Sequence, residues 1–153
     1  MTTILSNDCT TIDIDSEFLL ADNQTNVLTV IHNGIVTFVL NIPPPATTIV
    51  LNNALLGLSE VTLADGVYHL ELVTTALNGD VNKEILCVAS LCNLHCDIIE
   101  LYTDVNNIEQ ILAYEALKVA QGCETCNCTT MLSLYNIITN VVSNDCGCGQ
   151  TSL

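Results

Sequence analysis

Cysteine is the residue with the most chemistry to offer in this chain. The nine cysteines fall into three clusters, Cys87, Cys92 and Cys96, then Cys123, Cys126 and Cys128, then Cys146 and Cys148, with Cys9 alone near the start. Thiolates in such clusters hold metal ions, pair as disulfides or remain reduced, and spacing decides which geometry is reachable. The opening residues MTTILSNDCTTIDID carry neither a basic segment nor an apolar stretch of signal length, so they do not read as a secretory signal. Without export, metal ligands or reduced thiols are the more natural reading than a disulfide framework.

The interval from Cys123-x2-Cys126 to Cys146-x-Cys148 resembles a zinc ribbon, except that the second pair is one residue too close and the stretch between reads as helix. Residues 129–143 as one straight helix would span roughly 22 Å at about 1.5 Å per residue, so those two groups should not share one ion. An antiparallel helical hairpin would instead return Cys146 and Cys148 to Cys92 and Cys96, leaving Cys123, Cys126 and Cys128 at its far end. Four thiolates from Cys92, Cys96, Cys146 and Cys148 would then suit a structural, tetrahedral zinc at about 2.3 Å. The same proximity would serve disulfides where Cα atoms approach to about 5.5–6 Å, and reduced buried thiols are the third alternative.

The remaining residues offer little catalysis. His32 precedes a turn, His69 sits on the wet face of a strand, and His95 lies inside the CNLHC segment, where it is a weaker zinc candidate. There is no G-x-S-x-G elbow, no Walker loop and no G-x-G-x-x-G, and the absence of arginine removes the usual anion clamp. Asp13–Glu17 is acidic but lacks the glycine and closing glutamate of a calcium loop. With no tryptophan, four tyrosines and two phenylalanines, stacking surfaces for sugars are scarce. The expectation is a protein that is not an enzyme; a thiol-based metal-binding or redox module is the alternative.

The elements that position these residues are legible from periodicity. Period-two runs predict strands at Thr10–Ile14, Val27–Ile31, Ile35–Ile42, Thr47–Leu51, Val67–Thr75 and Val81–Val88, with Asn33-Gly34 and Asn78-Gly79-Asp80 as turns. In the fifth run Tyr68, Leu70 and Leu72 share a core face and His69 and Glu71 the opposite one. Pro43–Pro45 cannot lie in a central strand and reads as a stiff connector. Beyond Val88 the spacing turns helical. Asp104 is a candidate cap for a helix reaching about Gln121, and Thr129 or Thr130 starts a second one, because Met131, Leu134, Tyr135, Ile138, Val141 and Val142 recur at three- and four-residue steps. The fold class expected is α+β: an antiparallel β-sandwich-like domain over residues 1–90, then a Cys-rich α-helical hairpin and tail over 91–153.

Composition sets the partners. Half the residues are hydrophobic and 12% are charged, the pattern of a chain that folds around a core. Two lysines, Lys83 and Lys118, stand against 17 carboxylates, giving a formal charge of −15. Such a field repels phosphate backbones and anionic membranes and favours a basic protein surface, so nucleic acid and membrane are not expected as partners. Prolines and asparagines break the longest apolar region, Gly34–Leu58, and no transmembrane helix follows from it.

NDCTTIDI near the start, LADGVYHLEL in the middle and ALKVAQGCETCNC…LYNIITN…CGCG near the end resemble a group of small virion structural proteins of tailed bacteriophages, including crAss-like ones. The resemblance implies a β-rich part followed by a cysteine-bearing helical hairpin, in a homo-oligomeric component of the tail, neck or capsid surface. It also implies assembly in the host cytoplasm, other virion proteins as partners, residence in the virion and no catalytic residues. A virion protein released by lysis would escape the redox argument above, since it can oxidise afterwards. Connector proteins facing DNA often carry basic patches, which this chain lacks; an exterior or protein-facing position is the one implied.

Overall fold

The computed structural model describes the backbone of residues 2–7 and the residues numbered 10–91, 102, 105–120 and 127–139. Among the described residues, seven strands and two α-helices make an α+β fold: β1 (Thr2–Asn7), β2 (Ile12–Ser16), β3 (Thr25–His32), β4 (Val36–Asn41), β5 (Thr48–Leu51), β6 (Gly66–Thr75), β7 (Val81–Ser90), then α1 (Ile108–Ala120), entered through a 3₁₀ turn at Val105–Asn107, and α2 (Cys128–Thr139). The strands form two antiparallel sheets, one ordered β1-β2-β5 and the other β4-β3-β6-β7. The six strands expected from periodicity are all present within a few residues; β1, paired with β2 through a bulge between Ile4 and Ser6, is additional.

Alternation decides which side of each strand is buried. Ile12 and Ile14 on β2, Ile49 and Leu51 on β5, Leu28 and Val30 on β3, Tyr68, Leu70 and Leu72 on β6, and Leu86 and Val88 on β7 enter one apolar cluster drawn from both sheets. Leu70 stands at its centre, with Val30 opposite it on one neighbouring strand and Leu86 on the other. Pro43–Pro45, whose 44–45 bond is cis, carries the chain from β4 in the larger sheet to β5 in the smaller one. Ser16 on β2 also bonds Glu84 on β7, a polar link between the sheets.

The opposite face of the larger sheet has a second cluster. Val67, Cys87 and Ala89 pack there against Ala113 and Leu117 of α1 and Met131 and Ile138 of α2. The helices therefore cover the end of that face where β7 finishes. The other end keeps Val39, Val81 and Ile85 exposed.

Two local features hold the end of the sheet nearest the helices. Gly66 has φ +134°, and a Cβ there would collide with the Asn33 side chain and come within 2.6 Å of His32 Nε2. That close approach lets Asn33, itself at φ 53°, accept a bond from the Val67 amide at 2.8 Å. Beside it, His32 stacks on Tyr68 with ring centroids 4.5 Å apart and contacts the Asp65 carbonyl at 2.7 Å through Nε2. Tyr68 donates its hydroxyl to Ala64 O at 2.6 Å. Burial, reinforced by Asp65, pushes the Tyr68 phenol up to about 12.

Candidate functional site

The outer face of β6 places His69 and Glu71 side by side, because residues two apart on a strand share a face. The β6–β7 hairpin turns through Asn78-Gly79-Asp80 and pairs Thr75 with Val81, a register that sets His69 directly opposite Cys87 and Glu71 opposite Ile85. Lys83, two residues before Ile85 on β7, lies diagonal to Glu71 and reaches it at 3.2 Å. Cys128 arrives from the other direction. Asn127 caps α2, its Oδ1 accepting from the Thr129 amide at 2.7 Å and its carbonyl from the Met131 amide at 3.1 Å, so Cys128 occupies the first turn of the helix.

These elements converge on one bond. Cys87 and Cys128 form a disulfide with Cα atoms 5.5 Å apart, joining β7 to the start of α2 across a sequence separation of 41. His69 Nδ1 lies 3.0 Å from Cys128 Sγ, while its Nε2 lies 2.6 Å from Glu71 Oε2. A carboxylate can only accept, so Nε2 donates to Glu71 and Nδ1 is the ring atom that faces sulfur. Glu71 is held below the ordinary carboxylate value, first by the bond from His69 and then by Lys83.

The order sulfur, imidazole, carboxylate is the arrangement that activates a thiol: a base beside the nucleophile and a third group orienting the base. The helix N-terminus adds a favourable field for negative charge on Cys128. The two sulfurs differ in access. Cys87 is buried at 5% exposure, whereas Cys128 is half-buried and lines a cleft of about 270 Å³ with Ile31, Gly34, Val67, His69, Thr129 and Leu132.

The His69, Cys87 and Cys128 donor atoms all lie within 4.8 Å of one another, so the group could hold a metal once the disulfide is opened. This is a different set from Cys92, Cys96, Cys146 and Cys148, which lie outside the described residues together with Cys9, Cys123, Cys126, His95, Asp104 and the segment joining the helices. Cys128, expected at the turn end of a helical hairpin, stands at the start of α2 against β7 and pairs with Cys87, a member of the first cysteine cluster. The helix N-terminus docks on the sheet through its apolar side, and that docking brings Cys128 to Cys87.

His69 also gains a role that strand periodicity alone did not suggest. The face it occupies is covered in part by α2, so it is neither core nor open surface. The signal available was the hairpin register, which pairs His69 with Cys87 as soon as the turn is placed. No protein-family model matches the chain, and no curated protein matches it either.

Proposed function

We propose that this chain is a non-enzymatic structural protein of a tailed-bacteriophage particle, in the tail, neck or capsid surface, acting through protein–protein contacts with copies of itself and other virion proteins. The observation that carries the reading is the apolar exterior left by the fold. On α1, Ile108, Leu112 and Val119 point outward, Leu112 being 64% and Val119 78% exposed, and Val39 and Val81 add to an uncovered sheet surface. A small chain that exposes several large aliphatic groups on particular elements is suited to burying them against other subunits.

Charge and the sequence resemblance support the same reading. A net charge of −15 steers the exterior toward a basic protein partner and away from nucleic acid and anionic membrane. Among the described residues, no helix is long and apolar enough to cross a membrane. The two sheets are read here as a β-sandwich-like domain, and the two helices as part of a Cys-rich hairpin. Light scattering over a concentration series tests the assembly reading. A mass that is a multiple of the 16.5 kDa chain, reduced by Leu112→Glu and Val119→Glu, is expected. A monomer at every concentration, indifferent to both substitutions, would count against it.

A second reading, a thiol-based module, is favoured by the juxtaposition of His69 with Cys87 and Cys128. Once reduced, the three residues would offer one nitrogen and two sulfurs, a donor set that suits a structural zinc if a fourth ligand joins. Cys92, Cys96, Cys146 and Cys148 make a separate candidate zinc set. Elemental analysis of the reduced protein and of a His69→Ala variant tests the first group. Zinc in the former and less in the latter is expected; equal zinc in both would assign the metal elsewhere.

A further inference from the structure

We propose that the Cys87–Cys128 bond is an exchangeable disulfide, opened by a small monothiol that attacks Cys128 Sγ while His69 carries the proton. The inference rests on the thiol-based reading and is independent of the assembly reading. Three observations converge on it. Only Cys128 of the two sulfurs lines the cleft, so an incoming thiol meets that atom first. The Glu71 carboxylate fixes the Nε2 proton of His69 and leaves Nδ1 as the atom 3.0 Å from Cys128 Sγ. Cys128 lies in the first turn of a 12-residue helix, where negative charge is favoured as this sulfur is released from the mixed disulfide in the second exchange.

The exchange balances without another reagent. As the monothiol RSH enters the cleft, His69 Nδ1 takes its proton and the thiolate attacks Cys128 Sγ. A new S–S bond forms between R and Cys128, the Cys87–Cys128 bond breaks, and its electron pair leaves on Cys87. The imidazolium then returns the proton to that sulfur, since the His69, Cys87 and Cys128 donor atoms all lie within 4.8 Å. A second RSH attacks the R sulfur of the mixed disulfide, releasing RSSR and Cys128 as a thiol. Two thiols are oxidised and one protein disulfide is reduced. Glu71 is a positioning residue, acting through the ring it orients, and Lys83 holds its second oxygen.

Neither sulfur alone has these properties. Cys87 is packed among Val67, Ala89 and Met131 and does not face the cleft, so it is the sulfur left to depart, and its departure depends on the proton that His69 returns. Thiol–disulfide exchange depends on which sulfur is reached and on how readily the other leaves. The geometry assigns these two parts to different residues.

The test uses the full oxidised chain with its free thiols first blocked by N-ethylmaleimide. Peptide mapping without reductant establishes the starting bond, and absence of a Cys87–Cys128 peptide would overturn the thiol-based reading itself. With the bond present, limiting reduced glutathione is added, newly released thiol is trapped with iodoacetamide, and the peptides are mapped again. The expected product carries glutathione on Cys128 and the alkyl group on Cys87. The reverse distribution, or an even one, would overturn the proposed direction while leaving the thiol reading standing. His69→Ala is expected to slow bond opening by on the order of tenfold or more, and an unchanged rate would remove His69 from the mechanism. The trapping experiment on the unsubstituted chain stands whether or not that variant folds.

Discussion

Removing the Cys87–Cys128 link by Cys128→Ser is expected to lower stability by about 4 kcal/mol. The bond closes a loop with a sequence separation of 41. In the chain-entropy account, a loop of that length removes roughly 13 cal/mol/K from the unfolded ensemble, or about 4 kcal/mol at 25 °C. Val67, Ala89, Met131 and Ile138 still pack between sheet and helix without the bond, so the change acts mainly through the unfolded chain. Urea unfolding followed by circular dichroism, with the other thiols alkylated in both proteins, reads the difference. With a slope of about 2 kcal/mol/M for a small protein, the midpoint should fall by about 2 M. A phosphine reductant should destabilise the parent by a similar amount and leave the variant unchanged. A loss below about 1 kcal/mol, or an equal effect of reductant on both proteins, would refute the reasoning.

Leu70→Ala should cost roughly 2–5 kcal/mol, because Leu70 is buried between Val30 and Leu86, and denaturant titration would detect a smaller, surface-like effect. Gly66→Ala should cost about 1–3 kcal/mol, since φ is +134° and the added carbon meets the side chains of Asn33 and His32; an unchanged melting temperature would contradict that account. Glu71→Gln probes the acid limb. A carboxylate whose folded pKa is depressed contributes stability above its unfolded value and loses it as pH falls through the folded one. The parent's advantage over the variant should therefore shrink below the ordinary glutamate value of 4.5, and an advantage that grows there would have the wrong sign.

Much of the larger sheet was legible before the structure, because alternation and turn chemistry are local. Tyr68, Leu70 and Leu72 fall on the core side, and His69 and Glu71 do not, as period two requires. The strand β1 escaped because Thr2–Asn7 is short and lacks a sustained alternation, so its pairing with β2 is a tertiary outcome. The His69–Cys87 pairing was within reach, since one placed hairpin turn fixes every partner along it. The contact with Cys128 was not, because it depends on how a helix 41 residues beyond Cys87 docks on a sheet face. Sequence clustering of cysteines did not reveal that pairing, because clustering groups Cys128 with its chain neighbours and is silent on the packing that delivers it to β7.

The central claim, that the chain is a structural part of a phage particle, is tested most directly in the particle itself. If the proposal holds, a tailed phage carries this sequence; density-gradient-purified virions of such a phage should be digested at acidic residues, because two lysines give too few tryptic cuts, and analysed by quantitative mass spectrometry. The account predicts peptides from the sheet and the helices at a fixed ratio to the other structural proteins, unchanged by a second round of purification. Peptides confined to the soluble lysate, and lost as the particles are purified, would contradict it.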